Sequence, residues 1–364
     1  MLFRSYTPQF YNENKQLIPN SIATIESVMI NNRKQTLLMR GQNVEQPILL
    51  CCHGGPGMAQ IGFIRHFQKE LEKQFIVINW DQRGAGKSFS MKDFGANFTI
   101  EQFVSDAKEV IQYVLKKFNK QKLFLAGHSW GSIIGLNIAH QYPKYIEAYI
   151  GIGQIVHMKQ NEELLYQHLI HSAKKHDHKK ALASLLKLGK PPFLDTRRLI
   201  IQRKWLGTFG GAIQNGSSFS FIRKGFFSPE YTLLDWFKFL AGNLKSGILW
   251  EEMLTIDFFS PEYTLLDWFK FLAGNLKSGI LWEEMLTIDF FSSISSLSIP
   301  VYFCSGRYDY QTPYALVQEY CDIIEAPIKK MIWFPNSAHS PDLEEPELFA
   351  NSLQSIKQEL AFQH

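Results

Sequence analysis

From residue 47 to residue 152, short unbroken apolar runs alternate with longer helical stretches, and few architectures accept that alternation. Residues 47–52 (Pro-Ile-Leu-Leu-Cys-Cys), 75–80 (Phe-Ile-Val-Ile-Asn-Trp), 122–126 and 149–152 read as strands buried on both faces. Between them, helices are expected over about 58–74, from the capping box Thr99/Gln102 to about Asn119, and from Trp130 to His140. Strands that need helices on both faces form a doubly wound, mostly parallel sheet. Residues 22–30 and 35–41, joined by an Asn31-Asn32 turn, add two strands in front of it.

The alternation stops near residue 155 and resumes near 298 with Pro-Val-Tyr-Phe-Cys at 300–304. Helix over 313–325, strand over 329–334 and helix over 344–361 then follow. The sheet thus carries a helical insertion of roughly 140 residues between its sixth and seventh strands. The division expected is a catalytic domain of 1–154 and 298–364, with a helical cap of 155–297 laid over the site the sheet carries. Inside that cap, residues 226–257 recur without a change as 258–289. Solenoid repeats diverge and usually number three or more, so two perfect copies read as a recent tandem duplication or an error in assembling the gene, an accident the fold tolerates, with an enlarged lid as the functional alternative.

The remaining bulk properties exclude several classes. The net charge is only +4, with no polybasic tail, so neither nucleic acid nor an acidic membrane surface is an expected partner. The first residues lack the apolar run of a signal peptide, and no apolar stretch is long enough to span a bilayer. Cys51, Cys52 and Cys304 fall in strand-like runs and Cys321 in a helix-like one, as reduced core residues of a cytoplasmic protein would.

Chemistry concentrates at strand ends. Gly127-His128-Ser129-Trp130-Gly131 fits Gly-x-Ser-x-Gly, follows an expected strand and opens an expected helix. That context makes it a nucleophile elbow, with Ser129 presented above the sheet. The backbone N–H of Trp130, first in the helix, is one expected oxyanion donor. The second is expected from His53-Gly54-Gly55-Pro56-Gly57 after the third strand, at Gly55. Asp309 lies just past the seventh strand and His339 just past the eighth, in the order Ser, acid, base. The expected triad is therefore Ser129, His339 and Asp309, with no cofactor or metal.

These motifs, together with Asp81-Gln82-Arg83-Gly84-Ala85-Gly86-Lys87-Ser88, resemble those of the proline iminopeptidase family of α/β hydrolases. The resemblance covers about 45–155 and 298–345. It implies the α/β-hydrolase fold, a helical cap between strands six and seven, and removal of N-terminal residues, often proline, from short peptides. Where that family usually has glycine before the nucleophile, this chain has His128. Esterases and other hydrolases share that histidine. A carboxylesterase or lactonase therefore stands beside the aminopeptidase, and a non-catalytic ligand receptor is a third reading. A small molecule or short peptide is the expected substrate. An aminopeptidase needs unpaired carboxylates for the substrate amine, and Glu251, Glu252, Glu283 and Glu284 are candidates in the cap.

Other clusters read as structure. Gly84 to Ser88 resembles the end of a phosphate-binding loop, but Asp81 stands where that motif needs glycine. Asp81 is expected to hold its own turn. His171, His176, Asp177 and His178 lie among lysines whose charge repels a metal ion.

Overall fold

The computed structural model describes residues 5–96, 98–214, 218–225, 228–246 and 279–362. Eight strands form one sheet: β1 (Ile22–Ile30), β2 (Arg33–Gly41), β3 (Ile48–Cys52), β4 (Ile76–Asp81), β5 (Leu123–His128), β6 (Ile146–Ile152), β7 (Val301–Gly306) and β8 (Lys329–Phe334). Their order is β1-β2-β4-β3-β5-β6-β7-β8. β1, β2 and β4 pair antiparallel, and every pairing from β4 to β8 is parallel. The hairpin between β1 and β2 turns on Asn31 and Asn32, both at positive φ, a conformation asparagine tolerates.

The parallel strands are apolar throughout because each face has its own cover. Leu50, Cys52, Ile76, Ile78 and Trp80 face α1 (Ile100–Phe118) and α2 (Trp130–Gln141) in one core cluster. Leu49, Phe75, Val77, Phe124 and Ile150 face the C-terminal helix in the other. α1 begins where expected: Thr99 and Gln102 form the capping box, and Asn119 closes the helix in the left-handed region. Its buried stripe, Phe103, Ala107, Val110, Ile111 and Val114, has helical spacing. The helix expected over 58–74 is absent. Single 3₁₀ turns at Ile64–His66 and Leu71–Lys73 stand there, in a loop with Gly57 at positive φ.

Between β6 and β7 the described residues are mainly helical: α3 (Met158–Lys175), α4 (Lys179–Leu188), α5 (Thr196–Thr208), α6 (Ser218–Gly225), α7 (Leu233–Ser246), α8 (Gly279–Met285) and α9 (Phe290–Ser293). After β7 come α10 (Tyr314–Ile323), α11 (Pro341–Glu344) and α12 (Pro346–Ala361). The four cysteines are free, and all but the half-buried Cys51 are buried.

The described part of the repeat is 228–246 in the first copy and 279–289 in the second. Gly279 is the copy of Gly247. The two pieces in succession therefore run through the repeat unit once, from its third residue to its last. The first piece buries Tyr231, Trp236 and Phe239 against Ala59, Ile61, Phe63 and Ile64. The second buries Met285 and Leu286 in the main core. Of the aromatic residues Trp236, Phe237 and Phe239 in this copy, only Phe237 is exposed. The corresponding Trp268, Phe269 and Phe271 lie outside the described residues, as do Glu251 and Glu252.

Candidate active site

The loops carrying the expected catalytic residues lie at one edge of the sheet, because β3, β5, β6, β7 and β8 run parallel and end together. Ser129 joins β5 to α2 at φ 52° and ψ −119°, a backbone conformation that non-glycine residues rarely adopt. The flanking glycines make the turn possible. A Cβ on Gly127 would lie 2.5 Å from the Gly131 carbonyl oxygen, and one on Gly131 would lie 2.1 Å from that of Cys52. α2 can therefore start hard against the end of β3, with Trp130 as its first residue and the Trp130 N–H outside the helical ladder.

His339 and Asp309 are buried together. His339 Nδ1 is 3.0 Å from Asp309 Oδ2, so the ring can donate there. Asp309 also accepts the Thr312 N–H at 2.9 Å and the Thr312 hydroxyl at 2.7 Å, and that hydroxyl is 3.1 Å from His339 Nδ1. Thr312 was not singled out from the sequence; the spacing Asp-x-x-Thr after a strand, an Asx-type turn, is the signal that points to it. The opposite nitrogen, His339 Nε2, is buried and makes no hydrogen bond among the described residues, Ser129 Oγ included. Gly153, at φ +50°, leaves room for the ring: a Cβ there would lie 2.8 Å from His339 Nδ1.

Two further histidines flank the site, both neutral. His53 Nε2 accepts the Gln82 N–H at 3.1 Å, so Nδ1 donates to the Gly54 carbonyl at 2.8 Å. Burial pushes His53 down to about 4. His128 Nε2 donates to the His339 carbonyl at 3.0 Å. Burial, and then the nearby His339, push His128 down to about 3. Gln82 links these loops: its amide donates to the His53 carbonyl and its oxygen accepts the Trp130 indole N–H, both at 2.9 Å. Arg83 pairs with Asp106 on α1. Asp81 holds its own turn by accepting Lys87 N–H at 2.9 Å, and it also accepts the Tyr231 hydroxyl at 2.6 Å. Burial raises Asp81 to about 6.

Gly55 and Ser129 line one small cavity, about 60 Å³, with residues of α3, α5 and α8 above them. Its apolar wall includes Ile155, Met158, Leu199 and Met285. Its polar wall includes Glu162, fully buried, whose Oε1 takes Arg203 Nη2 at 2.5 Å and whose Oε2 has no partner among the described residues. Of the candidate acids named from the sequence, the two that are described, Glu283 and Glu284, do not line this cavity. Glu283 is exposed, and Glu284 accepts the Ile100 N–H at the start of α1. Nothing in the local sequence marks Glu162; α3 had to be placed over Ser129 first.

In the cluster read as a solvated helix face, His171, His176 and Asp177 are exposed and His178 is half-buried. His178 Nδ1 accepts the Ala181 N–H at the start of α4, and His176 stacks on Phe209.

Comparison with known proteins decides the family. Residues 47–179 match the profile of the alpha/beta hydrolase fold. A Bacillus subtilis protein, "Probable aminopeptidase YbaC", is 36% identical over 338 residues, 92% of this chain and 96% of its own length. This chain belongs to the α/β-hydrolase family. It is a hydrolase, similar to proline iminopeptidases as its motifs imply. The proline iminopeptidase of Thermoplasma volcanium is 31% identical over 109 residues, 30% of this chain and 35% of that protein. The crystal structure of the Mycobacterium smegmatis proline iminopeptidase superposes with a TM-score of 0.61 at 16% identity, covering 94% of this chain and all of that one. At that identity the likeness speaks for the α/β-hydrolase fold, which the sheet order and its helical insertion display.

Proposed function

We propose that this α/β hydrolase is a serine aminopeptidase of the proline iminopeptidase type, acting on short peptides or small amides beneath the cap formed by residues 155–297. Ser129 Oγ attacks the acyl carbon while His339 Nε2 takes its proton, and Asp309 holds the imidazole tautomer and stabilises the imidazolium. The N–H groups of Gly55 and Trp130 receive the oxyanion, each donor contributing about 3 kcal/mol. Protonated His339 then gives its proton to the leaving amine, and water hydrolyses the acyl-enzyme by the same steps.

The observation that carries the aminopeptidase reading is the free carboxylate oxygen of Glu162 in the cavity of Ser129. A buried acceptor without a donor is costly, and a substrate ammonium supplies both charge and hydrogen bond. The cavity is small, which suits a substrate presenting one short N-terminal residue.

The test is a parallel screen of proline, alanine and leucine arylamides against short-chain esters and lactones, with Ser129→Ala as control. Turnover of arylamides with a free α-amine, abolished in Ser129→Ala by a factor on the order of 10⁶, is expected. Turnover of esters alone would replace this reading with the carboxylesterase or lactonase. A Ser129→Ala protein keeping a tenth of the activity would remove Ser129 from the mechanism.

A further inference from the structure

A second cavity among the described residues, about 340 Å³, is distinct from the one above Ser129 and shares no lining residue with it. It lies on the seam between the sheet and the helical insertion. Its walls come from the β1–β2 hairpin, the loop 83–93 after β4, and α7. Five cationic side chains reach it: Arg33, Lys34, Arg83, Lys87 and Lys238.

Three of the five are matched by carboxylates. Arg33 pairs with Asp93, Arg83 with Asp106 and Lys87 with Asp235. Lys34 on β2 and Lys238 on α7 have no carboxylate within ion-pair distance among the described residues. Like charges facing one cavity from two elements repel in proportion to how far water is displaced, so the arrangement is relieved by a bound anion. The hydroxyls of Ser27 and Ser90 also line the cavity and can donate to oxygen.

We propose that this seam cavity is a binding site for a phosphorylated small molecule. Two unmatched ammonium groups fit a dianion rather than a single carboxylate. Arg33 meets Asp93 through Nη1, and its guanidinium carries further planar N–H donors suited to phosphate oxygens, whereas the Arg83 fork is committed to Asp106. The volume exceeds that of a phosphate group alone, leaving room for the organic part. The loop resembling the end of a phosphate-binding loop contributes a wall rather than a backbone cradle. Lys87 turns its ammonium to Asp235 and Ser5, and Asp81 replaces the motif's first glycine. A ligand here would touch both the sheet domain and α7, and so would favour their docked arrangement by mass action.

The experiment titrates the full-length protein with pyrophosphate by calorimetry, at ionic strength held constant with potassium chloride. Lys34→Ala/Lys238→Ala is titrated in parallel. Saturable binding weakened at least 10-fold in the double variant is expected. A second measurement needs no variant: acetylation of the native protein by acetic anhydride, read by mass spectrometry with and without pyrophosphate. Lys34 and Lys238 should be protected several-fold while the exposed Lys187 is not. No saturable binding above the chloride control, equal binding by the double variant, or uniform protection of all three lysines would each overturn the proposal.

Discussion

The backbone N–H of His339 donates to the carbonyl of Ala212 at 3.0 Å, joining the expected catalytic base to the helical insertion. The same strap continues on either side. Tyr310 N–H, next to Asp309, donates to the Gly211 carbonyl at 3.1 Å, and Gln214 N–H donates to Glu344 at 2.8 Å. The loops bearing acid and base are therefore positioned partly from the insertion.

Displacing that strap should cost activity without touching a reacting group. A Cβ on Gly211 would lie 2.4 Å from Leu206 Cδ1 and 3.2 Å from Tyr310 Cβ. Gly211→Val should lower turnover roughly 10- to 100-fold, the cost of moving a catalytic group by about 1 Å, with far less effect on melting temperature. Steady-state kinetics beside a thermal melt measures both; an unchanged kcat would show that the strap is passive.

Glu162→Gln keeps the shape of the side chain and removes its charge. If Glu162 holds the substrate amine, kcat/KM on an aminoacyl arylamide should fall about 10- to 100-fold, the range of one charge-assisted hydrogen bond. Turnover of a neutral ester, where detectable, should change less than 3-fold. Equal losses on both substrates would assign Glu162 to the support of Arg203 instead.

The buried histidines set an acid limit. His53 and His128 have folded values of about 4 and about 3, below the unfolded value near 6.5. The unfolded chain therefore binds their protons first. The stability they contribute is complete above about pH 6.5 and is lost as pH falls toward 4 and 3. Asp342, which burial raises to about 7, acts with the opposite sign, favouring the fold as pH falls through 7. The melting temperature of His128→Gln relative to the parent should thus rise as pH drops from 7 to 4.5. That of Asp342→Asn relative to the parent should rise as pH increases from 5 to 8. Parallel pH profiles for parent and variants would refute both assignments.

Deleting 258–289 yields the same sequence as deleting 247–278, since the copies are identical. Every described residue of the repeat then survives. Tyr231 keeps Asp81, Trp236 and Phe239 keep their apolar bed, and Glu284 keeps the N-terminus of α1. The shortened protein should fold, remain at least as soluble, and stay within a few-fold of the parent in turnover. Size-exclusion elution with a kinetic assay decides; misfolding, or an orders-of-magnitude loss, would make the second copy part of the working molecule.

The sheet, its helices and the order Ser129, Asp309, His339 were legible in the sequence because each rests on local signals. Apolar runs of strand length, the Thr99/Gln102 capping box and paired glycines around Ser129 need no distant partner to be recognised. The irregular 58–74 segment defeated that reading: its apolar residues pack against Tyr231 and Trp236 of the insertion, so helical periodicity is not what buries them. Glu162, Thr312, the Ala212 strap and the seam cavity were decided by tertiary structure alone. Each depends on groups far apart in the chain meeting in space. Whether a carboxylate such as Glu162 faces Ser129 or, like Glu284, ends on a helix N-terminus is fixed by packing, which no local pattern encodes.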